Sequence, residues 1–161
     1  MLRITKIILV ITVAMWGLLG AFHNVLDWSG TLGAVGAVTS METFEGGTES
    51  WQATSSPVVI WLGALFIMLS KLTAGLLCLK GAANMWGARD KDTASFAAAK
   101  STALAGCAIA VIMLFGGFIV IAESWFELWR SDSMRHLVLD SAFRYAGLIA
   151  LVALFISTRD S

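Results

Sequence analysis

Lys71 interrupts the run WLGALFIMLSKLTAGLLCLK at 61–80, and an ammonium among apolar residues must reach water, stay neutral or find a partner. It lies about 13 Å of helix rise from Lys80. At matching depth in the other apolar runs, near Met15, Phe115 and Leu148, the neighbours are apolar or small. One reading has the amine snorkel toward the Lys80 side or remain uncharged. The other puts its partner outside the chain: a carboxylate of another subunit, a lipid headgroup or a polar cofactor.

A second set is Glu123, Asp140 and Arg144. Glu123 falls about two turns before the end of a helix running to Trp129, and Arg144 about two turns into the next one. Asp140 precedes Arg144 by four residues and shares its helix face. Ionisable groups at such depths usually face protein or a cavity. The expected arrangement is a structural ion cluster, with a proton relay or an anionic-ligand site as the sharper alternative. The two histidines, His23 and His136, occupy similar depths on two helices, a placement from which a bis-histidine haem site can be built. Both lie at the membrane edge, where solvation is the simpler reading. Cys78 and Cys107 have no metal-ligand spacing and read as small core residues. No Ser/His/Asp set, H-E-x-x-H, P-loop or dinucleotide fingerprint occurs, so no catalytic residue and no metal site is expected.

The elements that position these groups follow from composition. Hydrophobic residues make up 58% of the 161 positions and charged residues 14%, with one proline, and the mean hydropathy is +0.80. Soluble chains average close to a quarter charged residues. Four apolar runs, 4–22, 57–79, 101–122 and 137–156, are each long enough for a hydrocarbon core about 30 Å thick. Lipid admits helices or closed barrels, and runs of this length are helices. The expectation is an all-α membrane four-helix bundle in a single domain. No small-x-small cleavage site follows Phe22, so the first run is read as a retained span rather than a signal peptide.

Lys and Arg set the orientation. Arg3, Lys6, Lys80, Arg89, Lys91, Lys100 and Arg159 gather at one side, whereas the first connection, 23–56, carries none. The positive-inside rule then places both termini in the cytoplasm, in a bacterial inner membrane, with the long first loop outside. Asp27, Glu42, Glu45, Glu49, Glu127 and Asp132 make that outer face acidic, which excludes nucleic acid as a partner. Within the loop, GTLGAVGAVTSM is apolar but too short to span, and is expected to lie on or dip into the outer interface, with a short helix packed over the bundle as one form of this. Small residues recur at Ala98, Thr102, Gly106 and Ala110, with further notches at Gly17, Gly20, Gly63, Gly75 and Gly116-Gly117. They serve either internal packing or the docking of another subunit. Five of the seven tryptophans, Trp28, Trp51, Trp61, Trp125 and Trp129, fall at the outer interface as an aromatic belt.

NVLDW at 24–28, SMET at 40–43, Trp51, WFELWRS at 125–131 and AFRY at 142–145 together resemble a bacterial family of predicted small integral membrane proteins, a domain of unknown function. The resemblance covers nearly the whole chain. It implies recurring positions at Asn24, Asp27, Ser40, Met41, Trp51, Trp125, Phe126, Trp129, Ser131, Phe143 and Arg144. Thr31, Ala37, Glu42 and Ser124 depart from the family pattern. The resemblance implies the four-helix fold and no reaction. Its recurring residues meet at the outer side, which suggests a loop folded onto the bundle by specific contacts.

The functional expectation is a non-catalytic accessory or scaffold subunit of a respiratory or photosynthetic membrane complex. Lys71, Glu127 and Arg130 are its candidate contacts to a partner or to bound lipid. A haem- or quinone-binding anchor and a small transporter or proton pathway are the alternatives.

Overall fold

The computed structural model describes residues 1–160, and its regular elements are all helical. They are α1 (Leu2–Leu26), α2 (Trp28–Thr39), α3 (Pro57–Gly87), α4 (Thr93–Trp125) and α5 (His136–Ser157). Helices α1, α3, α4 and α5 are the four that are long and apolar enough to cross a membrane. They form the expected four-helix bundle. Each contains one of the apolar runs and extends beyond it, because hydropathy tracks the hydrocarbon layer while a helix continues into water until it is capped. Asp92 is such a cap: its carboxylate accepts from the Ser95 N–H at 2.9 Å and from the Ser95 hydroxyl at 2.6 Å. These bonds hold the Asp92 carboxyl below the usual carboxylate range.

The bundle has two ends. The terminal end carries the start of α1, the end of α5 and the short α3–α4 turn. The loop end carries α2, residues 40–56 and the α4–α5 turn.

Close backbone approach fixes the packing. A Cβ at Gly17 of α1 would lie 2.7 Å from the Lys71 carbonyl oxygen and 2.9 Å from the Gly75 nitrogen of α3, so α1 and α3 meet at their backbones there. Gly81 and Gly106 do the same between α3 and α4, against Ala103 and against Ala74 with Cys78. Gly106 of the small-residue stripe therefore packs inside the bundle. The main core runs along this half of the molecule, through Val10, Ala14, Cys78, Met85, Phe96, Cys107, Met113, Ile149 and Ile156. The loop end has a much smaller buried cluster of Ala122, Leu128 and Leu139.

The apolar glycine-rich stretch forms α2, as its composition suggested. The chain turns sharply at Asp27, whose carboxylate caps α2 at the Gly30 N–H, 2.9 Å away. Helix α2 then lies across the first turns of α3, with Gly36 beside Ile60 and Gly63 beside Val35. Residues 40–56 return along the loop end. Met41 is buried at φ 55° and Gly46 stands at φ 73°, two left-handed positions that reverse the chain. Trp51 sits edge-on to Trp125 with centroids 5.2 Å apart, and Trp28 tilts against Trp61 at 5.4 Å.

Helix α4 changes pitch midway. From Ile112 to Trp125 it is wound as a π-helix, with the Phe126 N–H bonding Ile121 O and the Ser124 hydroxyl bonding Ile119 O, five residues back in each case. This winding rotates every residue after Ile112 relative to the register an α-helix would give.

Candidate functional site

Helix α2 roofs a cavity of about 800 Å³ bounded by α1, α3 and the π-wound half of α4. Its polar lining residues are His23, Asn24, Asp27, Thr31, Thr39 and Lys71. The rest of the lining is apolar or glycine and includes Phe66, Gly117, Phe118, Ile121, Phe126 and Val138. Leu62, Phe66 and Ile121 belong both to this lining and to the exposed apolar surface. The cavity thus combines features of a small-molecule site: concave, mostly apolar, with a few convergent polar groups.

Lys71 is the deepest-rooted of these groups, and its side chain runs opposite to the direction expected from sequence. Side chains on a helix lean toward its N-terminus, and the N-terminus of α3 is at the loop end. The Lys71 stem therefore climbs away from Lys80. It passes Gly20, where a Cβ would lie 3.1 Å from the Lys71 Cδ, and its Nζ donates to Asn24 Oδ1 at 2.8 Å. Matching partners by Cα depth missed this because four methylenes carry the amine beyond its own turn. The spacing of Gly17, Gly20 and Asn24, at three and four residues, is the signal that could have found it: two notches and an amide on one face of α1.

The bond continues as a ladder across three helices. Asn24 Nδ2 donates to Thr31 Oγ1 at 2.9 Å, and the Thr31 hydroxyl donates to Asp27 O at 3.0 Å. Thr31, a departure from the family pattern, is thus an active member of the site. Lys71 uses one of its three donors on Asn24. Its partner is a neutral amide, and among the described residues no carboxylate lies within ion-pair distance of it. Asp27, the carboxylate of the cavity wall, is turned to the α2 cap.

The other expected groups are distributed differently. Glu123, Asp140 and Arg144 do not form one cluster: Asp140 pairs with His136 at 3.2 Å, and Arg144 donates to Ser141 Oγ at 3.4 Å and lies over the Tyr145 ring. The π winding of both α4 and the first turn of α5 breaks the α-helical register on which that expectation rested. His23 lines the cavity, whereas His136 is held between Arg135 and Asp140 and does not. The structure does not bring the two histidines to one site. Glu127 and Arg130, expected to meet a partner, hold each other at 2.8 Å. Arg130 also donates to Glu45 O at 3.1 Å and stacks over Phe44, so this pair ties residues 40–56 to the α4–α5 turn.

The remaining motif residues are structural. Asn24 and Asp27 belong to the cavity wall, Phe126 closes it, Trp51 and Trp125 pin the loop, and Ser40 donates to Ala37 O at 3.5 Å. Ser131 is buried and accepts from the Met134 N–H at 3.2 Å at the start of α5. Trp129 and Phe143 are exposed.

A second charged constellation lies at the terminal end and was not anticipated. Lys6 of α1 and Lys100 of α4 both donate to Thr158 O, at 2.7 and 2.9 Å, and both pair with the Asp160 carboxylate. All three side chains are buried, with Lys6 beside the Phe155 ring and Lys100 beside Phe96. Burial raises the affinity of Asp160 for its proton, but the hydrogen bonds from Lys100 and Lys6 outweigh it and hold the carboxyl below the usual range. Charge counting assigned Lys6 and Lys100 to orientation alone, and a lone aspartate after the last apolar run gave no hint of its partners.

The family model described as "Predicted small integral membrane protein (DUF2165)" matches residues 2–159. No curated protein and no solved structure matches the chain.

Proposed function

The chain belongs to that family of predicted small integral membrane proteins, and from this premise we propose that it is a non-catalytic membrane protein that holds an amphiphilic molecule at its loop end. The observation that carries this reading is the cavity of about 800 Å³, mostly apolar in its lining, with the bonded polar ladder of Lys71, Asn24 and Thr31 at one place in it. Its volume lies within the roughly 300–1,000 Å³ typical of small-molecule sites. A localised polar ladder in an otherwise mostly apolar lining matches a molecule with a head and a tail. A quinone is one such molecule, with the Lys71 and His23 nitrogens as donors to its carbonyls.

Native mass spectrometry of the protein released from mild detergent tests the proposal. The wild type is expected to carry an amphiphile adduct and a Gly117→Leu variant to lose it. A side chain at Gly117 meets only the Phe66 ring edge, at 3.1 Å, and intrudes on the cavity. Absence of any adduct from wild type, or equal adducts in both proteins, contradicts the reading.

The accessory-subunit reading rests on a different observation. A Cβ at Gly116 of α4 or Gly147 of α5 would have nothing within 4 Å, and open notches of this kind admit a further helix. Its stronger sequence argument, a Lys71 without a partner in the chain, is replaced by the Asn24 contact. Native gels of mildly solubilised membranes test it, and a chain that migrates alone counts against membership of a larger complex.

A further inference from the structure

We infer that the cavity selects an apolar monocarboxylic acid, such as a long-chain fatty acid, whose carboxylate sits on Lys71 while its chain lies under α2 against the Phe118 and Ile121 wall. This rests on the proposed amphiphile site and specifies its head group.

Three observations point to a single negative charge. The Lys71 ammonium ends in the cavity with a neutral amide as its side-chain partner, and the one carboxylate among the lining residues, Asp27, caps α2 and is not within ion-pair distance of it. Two of its N–H donors remain for a ligand, the number a carboxylate accepts without disturbing Asn24. Among the described residues no arginine lines the cavity, and an oxyanion of higher charge, such as a phosphate, is ordinarily met by a guanidinium fork or several cations. An ammonium without an ion-pair partner in a mostly apolar cavity is stabilised by one carboxylate, because the low dielectric that penalises the isolated charge strengthens the pair.

The tail follows from the same asymmetry. Away from Lys71 the wall is built from α2, α3 and the π-wound half of α4, and Phe66 and Ile121 join it to the lipid-facing surface. A single-chain acid dissolved in the bilayer can pass between these side chains without crossing water. The carboxylate then approaches a cation that is already oriented, since the lysine stem is seated over Gly20 and its amine is fixed by Asn24.

The test compares ligands that share a chain and differ in charge. Binding of oleate and of oleyl alcohol to the detergent-purified protein is measured by displacement of a fluorescent fatty-acid probe. Wild type is expected to bind oleate at least tenfold more tightly than the alcohol. Lys71→Met is expected to erase that preference while keeping the affinity for the alcohol, and Lys71→Arg to restore it in part. Asn24→Asp provides an independent arm that keeps side-chain size, placing an internal carboxylate beside the ammonium, and is expected to erase the preference as well. Equal affinity of wild type for acid and alcohol, or a preference that survives both Lys71→Met and Asn24→Asp, overturns the carboxylate assignment and leaves the amphiphile site standing. Failure of wild type to bind either probe, with no adduct in the native spectrum, overturns both.

Discussion

Lys6 and Lys100 at the terminal end, and Lys71 toward the loop end, are long cations inside one small bundle, and they are held in opposite ways. The first two converge on one carboxylate and one carbonyl, with aromatic rings beside them. The third meets an amide and a cavity of about 800 Å³. Near the clasp α3 and α4 touch at Gly81 and Ala103; Lys71 packs against Gly17 and Gly20 through its backbone and stem, and beyond it α2 roofs the cavity beside the π-wound half of α4. A buried charge that finds its counter-charge within the chain is read most simply as part of the architecture. One that finds a neutral partner and adjoining space is the better candidate for a ligand.

That contrast can be broken at either end, and the largest effect is expected at the clasp. Asp160→Asn leaves Lys6 and Lys100 buried without a carboxylate and is expected to destabilise the folded protein by about 3 to 5 kcal/mol, the usual penalty for removing one partner of a buried pair. Thermal unfolding in detergent reads it out. The same change should leave ligand preference at the loop end untouched, and a loss of that preference would show that the two ends are coupled.

Next in size is the glycine contact between α1 and α3. Gly17→Val forces a side chain against the Lys71 carbonyl and the Gly75 backbone, and overpacking of this kind is expected to cost about 1 to 3 kcal/mol. Because the same contact seats the lysine stem, this variant should also weaken oleate binding, which distinguishes it from Asp160→Asn.

Acid sharpens the comparison further. The Asp160 carboxyl is held below its ordinary value, so the clasp contributes its full stability above the unfolded-state pKa of about 3.9. That contribution is lost as pH falls through the lower folded-state value. Wild type is therefore expected to lose thermal stability below about pH 4, and Asp160→Asn to show a flatter profile over that window. A wild-type profile no steeper than that of the variant would remove Asp160 from the account of acid sensitivity.

The smallest effect is expected at the exposed Glu127–Arg130 pair, where Arg130→Ala removes a half-exposed ion pair and the bond to Glu45 O. Such pairs contribute about 1 kcal/mol or less. Faster proteolysis within residues 40–56, with little change in unfolding temperature, is the expected result.

The four spans, the apolar α2 and the docked first loop were legible in the sequence because each depends on local composition: length of apolar run, glycine-rich stretches, tryptophans at the ends. The candidate site was legible only in its members. Lys71, Asn24, Asp27 and His23 were all singled out, yet the pairing of Lys71 with Asn24 depends on the direction in which a lysine leans and on the groove at Gly20, which are properties of two helices together. The expected Glu123–Arg144 cluster failed for a related reason. It assumed α-helical register through Ile112–Trp125, where the chain is wound with five-residue bonds. Asp160 escaped notice because its two lysine partners lie 154 and 60 residues away, and spacing carries no information over such distances.

The central claim is that the loop end is built to be filled and the terminal end is not. Thermal unfolding of delipidated protein with and without oleate at about 100 times its dissociation constant addresses it directly. Ligand binding at that level raises stability by about 2.7 kcal/mol. The account predicts that rise in wild type and its absence in Gly117→Leu; an equal rise in both proteins, or none in wild type, would contradict it.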